Sequence, residues 1–303
     1  MALRVAVVGA GYLGQHHARI YSELPDVKLA AVVDTNEERA KEVAGKYAAR
    51  AYRDYRDTFT GVDALSIVVP TSDHFAVALN CLRAGKDILV EKPITATVSE
   101  ADGLIAEAEK QGRILHVGHL ERYNPGFVTL SRMTENPAFL DAVRLSPFMN
   151  RGVDVDVTLD LMIHDIDIIL SLVRSPVKSI RAFGFSLVTD KIDEAKAWIE
   201  FENGASAVLT ASRIAREKKR RLKVYQKNAY MELDYQTSAV ELRSPTGPGE
   251  PEIIRPEYRE PLKEELKDFV RCIGTRGRPR VSGIEGRNAL NLVMEINSLM
   301  ERH

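Results

Sequence analysis

Six residues near the start of this chain constrain its fold more than any others. Gly9-Ala10-Gly11-Tyr12-Leu13-Gly14 is a GxGxxG sequence, placed directly after the apolar run Arg4–Val8 and opening a stretch, Tyr12–Leu24, with helical spacing of apolar residues. A strand, a glycine turn and a helix in that order give the pattern physical meaning. The first glycine makes a tight turn, the second lets backbone approach a pyrophosphate, and the third lets the helix pack closely on the strand. Free N–H groups at the helix start then face the phosphates. Asp34 closes the next strand pattern, Val27–Val33, where a carboxylate binds ribose hydroxyls and repels a 2′-phosphate. Neither Thr35 nor Asn36 supplies a cation, and Arg39 reads as a solvated helix residue, so NAD is expected over NADP. Gly9, Gly11, Tyr12, Leu13, Gly14 and Asp34 form the core of the expected cofactor site.

The rest of the first 120 residues alternates strand and helix patterns. Thr35–Tyr47 reads as a helix, Ala64–Val69 as a buried strand stopped by Pro70, and Asp73–Ala84 as a helix ending at Gly85. Asp87–Val90 and Ile114–Val117 are further strands, with helix Val98–Gln111 between them. This is the signature of a doubly wound parallel sheet with helices on both faces, a Rossmann domain over residues 1–120. Pro70, Thr71 and His74 follow the fourth strand and Glu91 and Lys92 end the fifth, which puts all five by topology at the cofactor crevice.

Beyond residue 120 the pattern changes. Ala138–Ser146, Ser179–Val188, Lys196–Phe201, Ser206–Ser212, Arg221–Tyr225, Tyr230–Asp234 and Ala239–Arg243 read as strands, several joined by short turns such as Asn203-Gly204. One helix, Val157–Val173, interrupts them, and Leu262–Ile273 and Glu285–Met300 close the chain. The prediction is an α+β domain over residues 121–303 with a large, mostly antiparallel open sheet. The stretch Pro245–Pro251 reads as a loop.

Composition excludes several classes. A formal net charge of −1 over 303 residues gives no support to nucleic-acid binding. No stretch approaches the ~18 apolar residues of a membrane span, and the N-terminal apolar run is too short for a secretory signal. The two cysteines, Cys81 and Cys272, make no disulfide framework, so a reducing cytoplasm is expected. No cluster of His, Cys and Asp has metal-site spacing, so no metal is expected.

Three further motifs carry chemistry. Glu91-Lys92-Pro93 follows the fifth strand, Arg122-Tyr123-Asn124-Pro125 follows the sixth, and Asp160-Leu161-Met162-Ile163-His164-Asp165-Ile166-Asp167 lies in the second half. Lys92 stands at the C-terminal end of a parallel strand, where open α/β sheets bind ligands. On a regular helix Asp160, His164 and Asp167 share one face, and Asp165 points elsewhere and is given no catalytic role. A helix otherwise built of Leu, Met, Ile and Val has little structural use for such a face, and the alternative is a set of satisfied buried polar groups. The order and spacing of these motifs resemble the Gfo/Idh/MocA family of sugar and inositol dehydrogenases over the whole chain. The resemblance implies an NAD-dependent oxidoreductase in which Lys92 and His164 sit beside the reacting hydroxyl and Asp160 assists. An imidazole, titrating near ~6.5, suits removal of the hydroxyl proton. A lysine can stabilise developing alkoxide charge, or act as the base if desolvated.

The chain departs from many relatives before the DxxxH helix, at Asp154-Val155-Asp156-Val157-Thr158-Leu159, and after the sixth strand, at Gly118-His119-Leu120-Glu121-Arg122. With Asn228–Tyr235, these segments resemble the nucleotide-sugar branch, which oxidises the C3 hydroxyl of UDP-N-acetylglucosamine on the way to the 3-amino sugar of certain lipid A molecules. The implied substrate-binding set is Lys92, His119, Arg122, Tyr123, Asn124, Asp160 and His164. A free sugar or inositol dehydrogenase is the alternative substrate reading, and a non-catalytic NAD-binding regulator the alternative class. The basic run Arg213–Lys223 reads as a solvated strand or loop face, with contact to a substrate diphosphate as its other reading. A homodimer or homotetramer is expected if the large sheet leaves a face open.

Overall fold

In this computed structural model the described residues are 2–149, 154–244 and 250–300. They form two compact units, residues 1–120 with 262–287, and residues 121–261 with 288–303.

The first unit is built on β1 (Leu3–Val8), α1 (Tyr12–Glu23), β2 (Val27–Val33), α2 (Glu37–Lys46), β3 (Arg50–Tyr52), β4 (Ala64–Ile67), α3 (Thr71–Arg83), β5 (Asp87–Glu91), α4 (Val98–Gln111) and β6 (Leu115–Gly118). Its strands lie in the order β3-β2-β1-β4-β5-β6, all parallel. The strand order reverses at β1 and β4, the switch point beside which such sheets bind ligands. The strands are apolar because helices cover both faces. Val5, Val7, Leu65, Ile67, Ile88 and Leu89 are wholly buried, each worth roughly 1.5–3 kcal/mol relative to exposure. Local signals fix the helix starts. The Asn36 side chain accepts from the Arg39 amide, and Thr97 and Glu100 form a reciprocal capping box on α4.

In the second unit come α5 (Pro125–Met133), β7 (Phe139–Leu145), α6 (Ile163–Val173), β8 (Val177–Phe185), β9 (Glu194–Phe201), β10 (Ser206–Ser212), β11 (Lys219–Gln226), β12 (Ala229–Asp234), β13 (Ala239–Arg243) and β14 (Glu252–Ile254). The sheet order is β14-β13-β12-β11-β7-β10-β9-β8, with only β7 and β10 parallel. One face alternates into a core of Leu140, Ala142, Leu209, Leu222, Val224 and Leu233 beneath α6. The other face carries Phe183, Phe185, Trp198 and Tyr225 in exposed positions.

Several expectations change. The sequence reading keeps residues 121–303 together, whereas α7 (Pro261–Thr275) and the start of α8 (Gly283–Met300) return to the first unit. Leu262, Leu266, Phe269 and Cys272 recur at helical spacing and pack with Ile20 and Tyr21 of α1 and with Leu24 just after it. Periodicity announces an apolar face but does not say which sheet it covers. β3 and β14 are three-residue edge strands with too little pattern to register, and α5 hides inside the Tyr123-Asn124-Pro125 motif, where Asn124 is the cap and Pro125 the first turn. The Pro245–Pro251 loop lies mainly outside the described residues. The helix expected over Val157–Val173 begins with a π-turn, Thr158–Met162, before α6. One extra residue in that turn breaks the regular face on which Asp160, His164 and Asp167 were placed together.

Candidate functional site

The glycine loop of the first unit has the conformation its residues demand. Gly9 takes a φ of +99°, and a Cβ there would collide with the Val68 carbonyl oxygen. A Cβ on Gly14 would collide with the Gly9 carbonyl, so α1 crosses β1 at a distance only glycine allows. Gly11 differs, because nothing lies within 4 Å of where its Cβ would stand. Two glycines are therefore needed by the protein, and the third leaves open space in front of backbone, as an approaching pyrophosphate requires. Tyr12 projects, exposed, from the start of α1 with its ring edge-on to His16, and Leu13 is half-buried beside it. The Asp34 carboxylate accepts from the amides of Ala10 and Asn36, each at 2.9 Å, which ties the end of β2 to the glycine loop. Its remaining lone pairs can accept from ribose hydroxyls. A dinucleotide fits these residues. Arg39, read from sequence as a solvated helix residue, reaches to 3.5 Å from the Asp34 carboxylate, so a cation does stand near that position.

Lys92 is partly exposed on a loop clamped from both sides within the same unit. Before it, buried Glu91 lies 3.2 Å from the Nε2 of buried His17 on α1. After it, the Pro93 carbonyl faces the Nδ1 of His74 at 2.8 Å, while the Nε2 of His74 faces the Val69 carbonyl at 2.9 Å. Glu91 and His74, expected at the cofactor crevice, are both buried. Both side chains are spent inside the protein, tying the Lys92 loop to α1 and to the end of β4. Pro70 and Thr71, by contrast, remain at least partly exposed at the start of α3.

In the second unit the π-turn and α6 sort their acids by burial. Asp160 and His164 are partly exposed, whereas Asp165 and Asp167 are buried. Asp165 receives Nε and Nη2 of Arg144 at 2.8 and 2.9 Å, and the third nitrogen of that guanidinium binds Glu121 at 2.9 Å. Arg144 is the largest fully buried side chain among the described residues, and its guanidinium lies over the Tyr235 ring at 5.3 Å. Burial opposes its charge, but Asp165 and Glu121 hold it more firmly protonated than an ordinary arginine. Asp167 receives the Nε of Arg122 at 2.8 Å. It is thus an anchor, and not part of an exposed face with Asp160 and His164.

The other expected substrate contacts divide in the same way. Asn124 is buried, and its side-chain carbonyl caps α5 at Gly126 and Phe127 while its amide donates to the Tyr235 carbonyl at 3.1 Å. His119 and Tyr123 are buried, and Arg122 is engaged with Asp167. The basic run also separates. Arg213 is buried and donates to the Val155 carbonyl, Arg221 pairs with Glu232 on the open sheet face, and Lys219 is exposed. Arg220 alone on β11 turns inward, beside Glu121 at 3.7 Å. The buried network of Arg144, Glu121 and Asp165 left no sequence signal, since its members are 44 residues apart at the extremes and match no spacing rule. Among the described residues no group of three His, Cys, Asp or Glu is placed to hold a metal, and no helix is long and apolar enough to cross a membrane.

Known proteins share this architecture. Residues 3–119 match the profile of the GFO_IDH_MocA oxidoreductase family with an NAD-binding Rossmann fold, and residues 136–232 match the C-terminal domain of that family. UDP-N-acetylglucosamine 3-dehydrogenase of Acidithiobacillus ferrooxidans is 38% identical over 99% of this chain and 97% of its own length. A solved structure of that enzyme superposes with a TM-score of 0.95, covering 100% of this chain and 99% of the other at 37% identity. Myo-inositol 2-dehydrogenase of Thermotoga maritima is 27% identical over 96% of this chain and 94% of its own.

Proposed function

The chain belongs to the Gfo/Idh/MocA family of NAD-binding oxidoreductases, and from that premise we propose that it oxidises the C3 hydroxyl of UDP-N-acetylglucosamine to a ketone. The carrying observation is the full-length similarity to UDP-N-acetylglucosamine 3-dehydrogenase, together with the retention of Lys92, Asp160 and His164 in partly exposed positions. NAD, when bound, supplies the acceptor for the hydride leaving C3. His164 takes the hydroxyl proton, Lys92 donates a hydrogen bond to the same oxygen and stabilises its developing charge, and Asp160 assists. His119, Arg122, Tyr123 and Asn124 complete the proposed substrate-binding set. The 3-keto product suits transamination to a 3-amino sugar of the kind found in some lipid A, and the reaction is placed in the cytoplasm.

The test is NADH formation with UDP-N-acetylglucosamine against N-acetylglucosamine, glucose and myo-inositol, with the keto product captured by a coupled aminotransferase. Oxidation of myo-inositol or glucose without the nucleotide sugar overturns the substrate. Cofactor choice rests on Asp34, and its loss releases Arg39 towards a 2′-phosphate. Asp34→Ala is therefore expected to narrow the NAD preference, and equal kcat/KM for NAD and NADP in the unaltered protein contradicts it.

The open face of the eight-stranded sheet is proposed to pair with a second copy of the chain. Phe139, Trp198, Tyr225 and Tyr230 form a continuous aromatic row there, with ring centroids 4.9–5.8 Å apart. The ion pairs Arg221–Glu232 and Lys223–Asp141 flank the row, and a two-fold contact would set this same patch against itself. Sedimentation is expected to show a dimer or tetramer that Trp198→Glu dissociates, and a monomer at all concentrations overturns it.

A further inference from the structure

At one end of the second unit's sheet the apolar layer stops. Val224 and Leu222 of β11 are wholly buried in the core, and the next inward position is Arg220. Arg220 stands directly across from Arg144 of β7, and its carbonyl accepts from the backbone amide of Tyr235. Three polar side chains, Tyr235, Arg220 and Arg144, thus form a row where the sheet meets the π-turn.

The two arginines are used very differently. Arg144 fills its fork with three hydrogen bonds to Asp165 and Glu121. The Arg220 side chain is about one-third exposed, with Nη1 3.7 Å from the Glu121 oxygen that Arg144 already occupies. Among the described residues its side chain makes no hydrogen bond and no other ion pair. Its donors are not sealed from solvent, so their hydrogen-bonding capacity is available, and an acceptor group brought to this position takes them in place of water.

Charge decides what that group is. Arg144 and Arg220 face Glu121 and Asp165, and Asp160 of the π-turn is near enough to act on Arg220 electrostatically. Two cations therefore meet three carboxylates. The hydrogen-bonding capacity of Arg220 is open while its charge is already compensated. An added phosphate would meet net negative charge, whereas a neutral carbonyl oxygen would take the donors without that penalty. A sugar with an acetamido group at C2 carries such an oxygen on the carbon next to C3, and Asp160 is one of the residues assigned to chemistry at C3. Resting on the nucleotide-sugar reading above, we propose that Arg220 binds the acetamido carbonyl oxygen of the substrate and selects N-acetylated over unacetylated nucleotide sugars.

UDP-glucose tests this, because it keeps the uridine and diphosphate and differs at C2 alone. The unaltered protein is expected to favour UDP-N-acetylglucosamine over UDP-glucose by at least about 100-fold in kcat/KM, since a site built to bond a polar group discriminates strongly against its absence. Arg220→Met is expected to lower kcat/KM for UDP-N-acetylglucosamine about 100-fold, mainly through KM, and to leave UDP-glucose within about three-fold. Calorimetric affinity for UDP alone is expected to be unchanged in the variant, which also reports that the site remains folded. If Arg220→Met does not fold, Arg220→Lys retains the charge without the fork and is expected to lose about 10-fold with UDP-N-acetylglucosamine only. Equal losses with both nucleotide sugars, weakened UDP binding in a folded variant, or no loss overturns the assignment while leaving the proposed reaction standing. If the unaltered protein binds no UDP and oxidises neither nucleotide sugar, the reaction itself falls and this role falls with it.

Discussion

In the first unit the groups facing a dinucleotide are mostly backbone, and they are consecutive. Gly9 turns the chain, Gly11 leaves space, Gly14 admits the helix, and Asp34 is tied to the loop by the amide of Ala10. In the second unit the groups proposed to meet a substrate are side chains, on a segment anchored by side chains from elsewhere in that unit. Asp160 and His164 keep partial exposure on a segment whose remaining acids are neutralised by Arg144 and Arg122. A backbone cradle needs particular residues at fixed offsets, because conformation and close approach are local properties. A side-chain constellation needs only a matching charge at the right place on the sheet, whichever strand supplies it. The first arrangement can bind the same cofactor across many relatives, and the second can be altered residue by residue as the substrate changes.

The sharpest way to separate the two units is by activity. Lys92→Ala and His164→Ala are each expected to lower kcat by about 10²–10⁴-fold with NAD affinity preserved, as loss of a positioned acid–base group does. Near-normal turnover in either variant contradicts its role. Next in size is the buried charge network. Arg144→Met leaves Asp165 and Glu121 without their main partner in the interior, a loss on the order of 3–5 kcal/mol. Trp198 is the single tryptophan and lies in the same unit, so its fluorescence in a urea titration reads this loss. A change below about 1 kcal/mol would mean that the network is not what holds α6.

Acid distinguishes the units a third way. His116 of β6 is wholly buried beside Phe269, with Asp268 and Arg271 of α7, Glu91 of β5 and His119 as its charged neighbours, and desolvation lowers its pKa to about 4. Above about pH 6.5 the ring is neutral in folded and unfolded chains alike, and its contribution is intact. As pH falls from there towards 4, only the unfolded chain takes up the proton, so the first unit loses up to about 3 kcal/mol across that window. Asp193 in the second unit behaves as a carboxylate. Burial raises its pKa, but the Thr189 hydroxyl and the amides of Leu187, Val188 and Thr189 outweigh this and bring it to about 2. Its stabilising effect is present above about pH 4 and is lost only as pH falls towards 2. Unfolding titrations at stepped pH should show the first unit weakening before the second, and His116→Phe should flatten the earlier slope. A first unit indifferent to pH between 6.5 and 4.5 contradicts this.

The same division explains what could be read from residues alone. The glycine loop, Asp34, the strand alternation and the DxxxH spacing were legible because each depends on local geometry. The pairing of Arg144 with Asp165, the inward turn of Arg220, and the return of α7 to the first unit depend on which strands become neighbours, and no periodicity encodes that. His74 and Glu91 show an intermediate case. Topology puts them at the crevice, and what it does not encode is their internal contacts, the His74 ring between two carbonyls and the Glu91 carboxylate beside His17. The π-turn is a further one, because a single extra residue changes which acids share a face without changing the apolar pattern around it.

The smallest expected effect tests whether the charged row of the second unit is as economical as its hydrogen bonds suggest. Tyr235 is buried beneath Arg144, and its hydroxyl finds no hydrogen-bond partner among the described residues. Burial, with Asp165 and Glu121 nearby, pushes that phenol well above its ordinary pKa, so it stays neutral throughout the working range. The ring serves Arg144 through its face, and this does not require the oxygen. A buried hydroxyl without a partner has given up its bonds to water and received nothing in return. Tyr235→Phe keeps the ring and removes the unmet group, so stability should be unchanged or higher by up to about 1 kcal/mol, read by the same Trp198 titration. Kinetic constants should not move. A loss of more than about 1 kcal/mol would show that the hydroxyl does bind something in solution, and an ordered water bridging it to Asp165 or Glu121 would be the first candidate to seek.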